Sequence, residues 1–234
     1  MSLQNFYNDW YEQGYMEEWP GWKKERVYNL ILDLKLPEKG IALDFGCGNG
    51  VFTNVIKKAL PSWKVYGSDL SSIAVNKAAT RFPECTFLQY NSADLNNLKF
   101  DFIFSHHVLE HVDDMAQVVS DIKIISSHKS VMLHILPCGN QGSLERRLCE
   151  WRKEGIQVQK GNTFYFEEES HLQRFTCKEL NELFSQAGFE TKSAYFANQY
   201  FGAIKWISSM PKQFIQNITG YNKALSTGSD KILI

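Results

Sequence analysis

The chain has 234 residues, of which 44% are hydrophobic and 14% aromatic, and its 25 basic and 26 acidic residues give a formal net charge of −1. This composition excludes intrinsic disorder as a description of the whole chain. The near-zero net charge excludes a global attraction to nucleic acid or to anionic membranes. The length suits one domain that carries insertions.

The cysteines and the first residues predict a soluble, cytoplasmic protein. The five cysteines are widely spaced and form no C-x-x-C pair, as expected for reduced thiols in the cytosol. The N-terminus lacks the basic and apolar regions of a signal peptide. No apolar run approaches the roughly 18 residues that a membrane span requires.

In chain order, residues 1–36 predict an aromatic-rich helical arm that packs on the domain and ends before Pro37. Over residues 37–138, short apolar runs alternate with helical periodicity, which predicts a parallel sheet with helices on both faces. The predicted helices cover 51–60, 72–82 and 113–126. The predicted strands are Ile41–Phe45, Lys64–Ser68, Thr86–Tyr90, Phe100–Ser105 and Ser130–Leu136.

The alternation breaks over 139–174, which predicts a lid or insertion. It returns over 175–234, where Thr176-Cys-Lys-Glu179 is a capping box that starts a helix. Phe189–Phe196 predicts a sixth strand, 203–218 an extra helical segment broken by a proline, and 231–234 a short seventh strand. The prediction is a single domain of α/β class, with a doubly wound, mostly parallel seven-stranded sheet.

The glycine-rich turn after the first predicted strand is the most informative motif. The segment Asp44-Phe-Gly46-Cys-Gly48-Asn-Gly50 leads from a strand to a helix, and its glycines allow a ligand to approach the backbone. Asp44 would repel the pyrophosphate that such a loop otherwise attracts, so it favours a ligand with a positive charge and no phosphate. Asp69, at the end of the second strand, is placed to hold a ribose through its hydroxyls. Alternatively, both aspartates simply cap the helices that follow them.

These motifs, together with Phe100-Asp101-Phe-Ile-Phe-Ser105-His-His-Val-Leu-Glu110-His111, resemble those of class I S-adenosylmethionine-dependent methyltransferases. The resemblance covers roughly residues 40–140 and implies a Rossmann-like fold, with S-adenosyl-L-methionine as cofactor and S-adenosyl-L-homocysteine as product. It implies that the methionine part of the cofactor lies against Asp44, Phe45, Gly46, Cys47 and Gly48, and that Asp69 binds the ribose. Leu70 would pack on the adenine, and the backbone groups of Ser105 and His106 would face the ammonium.

The resemblance also implies adenine contacts from the turn after the third strand, where two registers are open. One uses the Asn91 side chain with the Ser92 backbone N–H, and the other uses Asp94.

The histidines after the fourth strand admit several interpretations, one of which is that Leu109 and Val112 pack inward while His111 caps the turn or packs. His107-Val-Leu-Glu110-His111 matches the H-x-x-E-H zinc-protease pattern, but it follows an apolar strand directly, whereas that motif belongs on a long helix. Some related O-methyltransferases carry a metal at Glu110 and His111, although His107 departs from their pattern. We predict no metal site and assign His106 and His107 as the candidates that remove or hold an acceptor proton.

We predict methyl transfer by in-line displacement to an oxygen, or less favourably a nitrogen, of a small molecule. We expect no nucleic-acid substrate, because the chain has no basic domain and Cys138 lacks a second matching cysteine motif. We expect a monomer or homodimer. Two other functions stay open: a non-catalytic S-adenosylmethionine-binding partner protein, and a nicotinamide-dependent oxidoreductase on a similar sheet.

Overall fold

The computed structural model describes residues 3–90, 92–137, 172–173, 175–196 and 230–233. The chain divides into two compact units. The first contains residues 1–106 and 121–133, and the second contains residues 107–120 and 134–234.

The first unit alternates helices and strands, as the sequence predicts. Its helices are α1 (Leu3–Glu12), α2 (Gly21–Asp33), α3 (Val51–Ala59), α4 (Ser72–Arg81) and the single turn α5 (Ala93–Asn96). Its strands are β1 (Ile41–Phe45), β2 (Lys64–Asp69), β3 (Thr86–Gln89), β4 (Phe100–His106) and the first part of β5 (Ser126–Pro137). Helix α6 (Met115–Ile125) leads into β5.

The sheet of the first unit has the strand order β3-β2-β1-β4-β5. Strand β1 is parallel to both β2 and β4, with Asp44 opposite Gly67 on one side and Phe104 on the other. The chain therefore runs outward from β1 to β3 and then returns to the other side of β1. Ligands of open α/β sheets bind at the carboxyl ends of the strands where the order reverses, which here are those of β1 and β4.

Burial on both faces explains why the strands read as apolar runs. The consecutive residues Phe102, Ile103 and Phe104 of β4, which point to alternate faces, are all fully buried. Helix α3 packs on β1 and β2, and α4 packs on β2 and β3. The predicted α/β fold, a mostly parallel sheet flanked by helices, is confirmed.

In the second unit, the end of β5 pairs antiparallel with β7 (Asp230–Leu233), and β7 pairs antiparallel with β6 (Ala194–Phe196). The unit also contains a 3₁₀ turn at Leu109–His111 and helix α7 (Cys177–Gln186). Thr176 and Glu179 form the predicted capping box of α7.

Two strands begin four or more residues away from their predicted starts, whereas the other strand boundaries agree to within one residue. Strand β6 begins at Ala194 and not at Phe189, because the chain is still closing α7 there: Gly188 has φ +89° and the Phe189 N–H donates to the Phe184 carbonyl. Strand β5 begins at Ser126, directly after α6, and not at Ser130.

The predicted lid over 139–174 lies outside the described residues except for 172–173, and so does the segment 203–218. The single seven-stranded sheet and the one-domain organisation therefore stay predictions. Among the described residues, no helix is both long and apolar enough to span a bilayer.

Candidate active site

The glycine loop between β1 and α3 is folded against the end of β2. Gly46 has φ +74° and Gly48 has φ +50°, values that an L residue adopts only with strain. The backbone N–H groups of Gly46 and Cys47 both donate to the Ser68 carbonyl, at 2.7 and 2.9 Å. The loop therefore has a fixed shape before any ligand binds.

Asp69 closes this arrangement at the end of β2. Its side chain is 9% exposed; Oδ2 accepts the Gly48 N–H at 2.8 Å and Oδ1 accepts the Ser71 N–H at 2.9 Å. Burial raises the pKa of Asp69, and these backbone hydrogen bonds oppose the rise. A carboxylate has about four acceptor sites, so Asp69 keeps the capacity to accept a hydroxyl beside these backbone groups.

Asp44, the penultimate residue of β1, is more deeply buried than Asp69. It is 1% exposed, and its Oδ2 accepts a 2.6 Å hydrogen bond from the Thr53 hydroxyl on α3. Burial raises the pKa of Asp44 to about 7; Asp69 adds to the rise and Thr53 opposes it. A buried cation beside Asp44 would stabilise its ionised form.

Neither aspartate is the N-cap of the helix that follows it. The N-cap of α4 is Ser71, whose hydroxyl accepts the Ala74 N–H, and the N-cap of α3 is Gly50. Asp44 nevertheless accepts the backbone N–H of Thr53 in the first turn of α3, so the capping interpretation stays open for Asp44.

The remaining predicted cofactor residues occupy varied environments. Leu70 is half-buried, and Asp94 is exposed on α5. Ser92 is the N-cap of α5, and its backbone N–H donates to the Gln89 carbonyl at 3.1 Å. Asn91 lies outside the described residues. The choice between the two adenine registers therefore stays open.

At the end of β4, Ser105 and His106 are both buried. The His106 ring lies among aromatic rings of the first unit, with centroid distances of 4.4 Å to Phe52 and 4.7 Å to Trp19. These contacts fix the orientation of the imidazole.

His107 belongs to the second unit and has a left-handed backbone, with φ +54°. Its Nδ1 lies 2.9 Å from Oε1 of Glu110, a side chain that is 1% exposed, and Nε2 of His111 lies 4.0 Å from the same oxygen. Burial alone would raise the pKa of Glu110, but the hydrogen bond from His107 and the charges of His107 and His111 lower it. Glu110 is therefore a carboxylate that holds His107 through Nδ1.

The backbone of this turn is also fixed. The Glu110 carbonyl accepts the N–H groups of Leu172 and Gln173, and the Gln173 amide donates to the carbonyls of Val112 and Asp113. Within the part of the chain that the structure describes, no group of three or more His, Cys, Asp or Glu side chains is arranged to hold a metal ion.

Sequence reasoning missed three supporting contacts: Thr53 on Asp44, Ser71 on Asp69 and Glu110 on His107. The first two depend on loop geometry. The third contact could have been expected from the sequence, because His107 and Glu110 are three residues apart and side chains at that spacing can interact. The spacing alone does not show what the contact does.

The fold and this site together define a class. Two buried carboxylates and a glycine loop with positive φ lie at the carboxyl ends of parallel strands, and their negative charge favours a cationic nucleoside over a phosphate-bearing ligand; this arrangement is here called the cradle. A Cβ placed on Gly48 would lie 2.8 Å from the Tyr11 hydroxyl, so the cradle requires glycine. A fold and an arrangement of this kind are typical of Rossmann-like S-adenosylmethionine-dependent methyltransferases.

The family model described as methyltransferase domain matches residues 7–194, and the chain belongs to this family. Its cofactor is S-adenosyl-L-methionine, which the residues described above fit.

Individual relatives are distant. The chain is 29% identical over 84 residues to malonyl-[acyl-carrier protein] O-methyltransferase 1 of Ilyobacter polytropus, covering 34% of this chain and 31% of that protein. It is 25% identical over 107 residues to trans-aconitate 2-methyltransferase of an Enterobacter species, covering 46% and 38%. The matches thus span about a third of the length of these relatives.

A solved S-adenosylmethionine-dependent methyltransferase from Thermotoga maritima has the same fold. The TM-score is 0.55 at 19% identity, and the match covers 99% of this chain and 94% of that one.

Proposed function

We propose that the protein transfers the methyl group of S-adenosylmethionine to an oxygen atom of a small molecule. The observation that carries the proposal is the pair of buried carboxylates at the glycine loop, Asp44 and Asp69, each with a contact that fixes its orientation. Similarity to an O-methyltransferase supports oxygen as the acceptor atom.

In this proposal the two acids divide the recognition of the cofactor. Asp69 accepts the two ribose hydroxyls on the lone pairs that Gly48 and Ser71 leave open. Asp44 stabilises the ammonium of the methionine part, and the Gly46 and Gly48 backbone approaches it closely because neither residue has a side chain. S-adenosylmethionine, when bound, supplies a methyl group that is already activated on a sulfonium. The protein therefore contributes mainly alignment of the acceptor and exclusion of water.

Proton removal is assigned to His107. A carboxylate only accepts hydrogen bonds, so in the neutral form of His107 the 2.9 Å contact with Glu110 favours the proton on Nδ1. The lone pair of Nε2 is then the site that takes the proton of an acceptor hydroxyl, and Glu110 acts as a positioning residue. A carboxylate acceptor is already ionised near neutral pH and needs no base.

The first test is calorimetric titration of the purified protein with S-adenosylhomocysteine, with NAD in parallel. Binding at micromolar concentration or tighter, with no heat from NAD, is the expected result. Binding of NAD alone would replace the proposal with the oxidoreductase alternative. Absence of binding to both by folded protein would remove it.

The second test uses isotopically labelled S-adenosylmethionine and two acceptor sets, dicarboxylic acids and hydroxylated aromatic compounds. If the protein methylates carboxylates, and His107→Gln changes that rate by less than threefold, the acceptor is a carboxylate. If it methylates hydroxyl compounds, and His107→Gln lowers that rate about 10²-fold or more, the acceptor is a hydroxyl. Cofactor binding without turnover of any acceptor would favour the non-catalytic partner alternative.

A further inference from the structure

The segment of residues 8–19, here called the strap, crosses the glycine loop within the first unit. The Ser71 hydroxyl donates to Asn8 Oδ1 at 2.6 Å, and the backbone N–H of the same Ser71 donates to Asp69. The Asn49 amide donates to the Tyr15 carbonyl at 3.0 Å, from within the glycine loop itself. The strap is therefore attached to the two structures that form the cofactor cradle.

Cations of α4 fix the strap at two further places. Lys77 donates to the Tyr11 carbonyl at 2.6 Å. Arg81 donates to the Glu17 carbonyl and to the Glu18 carboxylate, both at 2.7 Å. A hydrogen bond from Lys24 is the largest cause of the low pKa of Glu18, about 2, so this carboxylate stays ionised at neutral pH.

These attachments bring the Tyr11 hydroxyl into the cradle. Tyr11 is 7% exposed, and its Oη occupies the space that a Cβ on Gly48 would enter, 2.8 Å from that Cβ position. Among the described residues, none accepts a hydrogen bond from this hydroxyl. Burial raises the pKa of Tyr11 well above 10, and Asp69 and Cys47 add to the rise, so the phenol keeps its proton.

We propose that Tyr11 is a cofactor-binding residue whose O–H donates to the carboxylate of the methionine part of the cofactor. Asp44 and Asp69 accept hydrogen bonds and favour positive charge, so they recognise the ammonium and the ribose hydroxyls. The cofactor carboxylate needs donors instead, and the Tyr11 phenol beside Gly48 is a side-chain donor on a backbone that Lys77 holds at the Tyr11 carbonyl. The inference rests on the proposed function, since it takes S-adenosylmethionine as the ligand.

The experiment compares two ligands that differ in the amino-acid part. S-adenosylhomocysteine carries the ammonium and the carboxylate, and methylthioadenosine carries only the nucleoside with a thioether. Calorimetric affinities of both are measured for the unaltered protein, for Tyr11→Phe and for Tyr28→Phe, which removes a hydroxyl from α2 in the same unit. A hydrogen bond to a charged group predicts that Tyr11→Phe weakens S-adenosylhomocysteine about tenfold or more. Methylthioadenosine should change less than twofold, and Tyr28→Phe should change neither ligand.

Equal weakening of both ligands by Tyr11→Phe would overturn the assignment, because the hydroxyl would then serve the nucleoside. So would no change in either. Lys77→Met, which keeps the phenol but removes the cation that holds the Tyr11 carbonyl, gives an independent test: it too should weaken S-adenosylhomocysteine selectively. Failure of the unaltered protein to bind S-adenosylhomocysteine would overturn the proposed function and this inference together, whereas normal binding by both variants overturns only the inference.

Discussion

Asp44→Asn should stabilise the free protein and abolish most of its affinity for S-adenosylhomocysteine. The substitution keeps an oxygen that accepts the Thr53 hydroxyl, removes the buried charge and leaves the packing of β1 and α3 unchanged. A gain in stability together with a loss of affinity would show that one buried charge is responsible for both effects.

The magnitude follows from the pKa of Asp44, which burial raises from 3.8 to about 7. At about 1.4 kcal/mol for each pKa unit, ionised Asp44 costs the free fold up to about 4 kcal/mol at pH 8. The folded state binds this proton more tightly than the unfolded state, so the cost decreases as the pH falls from 7 toward 4. Asp44→Asn should therefore raise the free energy of unfolding by about 2–4 kcal/mol at pH 8 and by about 0.5 kcal/mol or less at pH 4.

The assay is urea unfolding at pH 8 and pH 4, followed by tryptophan fluorescence, with Asp113→Asn as the control because it makes the same charge change at an exposed position. Calorimetry at pH 8 should show at least a tenfold loss of S-adenosylhomocysteine affinity in Asp44→Asn. In the unaltered protein, affinity should fall about tenfold from pH 8 to pH 6 as Asp44 gains its proton. A variant that is less stable at pH 8, or that binds the ligand normally, would refute the assignment of Asp44 as a buried ammonium partner.

Three further predictions concern the other parts of the site. Asp69→Asn should weaken both S-adenosylhomocysteine and methylthioadenosine by about 1–3 kcal/mol, since both carry the ribose; unchanged calorimetric affinities would contradict the ribose role. Gly48→Ala should lower the free energy of unfolding by about 1–2 kcal/mol and weaken cofactor binding, because alanine is strained at φ +50° and displaces Tyr11. Gly21→Ala, at a position with open space around it, is the control in the same urea titration. Glu110→Gln should lower the free energy of unfolding by about 1–3 kcal/mol at pH 7 and by less at pH 4. A carboxylate whose pKa is lowered by folding stabilises the fold fully only above its unfolded pKa. An equal loss at both pH values in chemical denaturation would show that the charge of Glu110 is not involved.

The fold of the first unit was predictable because its local signals agree with one another. Strands such as Phe100–His106 are buried on both faces and read as unbroken apolar runs, and Gly50 and Ser71 mark the starts of helices. Parallel pairing then follows from the helices that separate the strands. The boundaries were less certain: the turn after α7 extended into the predicted sixth strand, because a helix ending in a left-handed glycine continues to form backbone hydrogen bonds beyond it.

The site was predictable in its acids and not in what holds them. Asp44 and Asp69 stand next to glycines at strand ends, a pattern visible in one sequence. The contacts of Asp69 with Gly48, 21 residues away, and of Tyr11 with the same glycine arise only when distant segments meet. Such contacts depend on loop conformation and side-chain direction, for which a sequence pattern has no periodic signal.

The two acids differ in how far the free protein compensates their burial, and this difference assigns them different parts in cofactor binding. Asp69 accepts backbone N–H groups that are in place without the cofactor, and these hydrogen bonds offset part of the rise in its pKa that burial causes, so its contribution on binding is mainly one of geometry. Asp44 accepts the hydroxyl and the backbone N–H of Thr53, and burial still raises its pKa to about 7, so near neutral pH it is divided between protonated and ionised forms. A cationic ligand binds the ionised form and releases the proton from the rest of the population. The release should appear as an ionisation heat that changes with the buffer in calorimetry at pH 7, and it should disappear in Asp44→Asn and persist in Asp69→Asn.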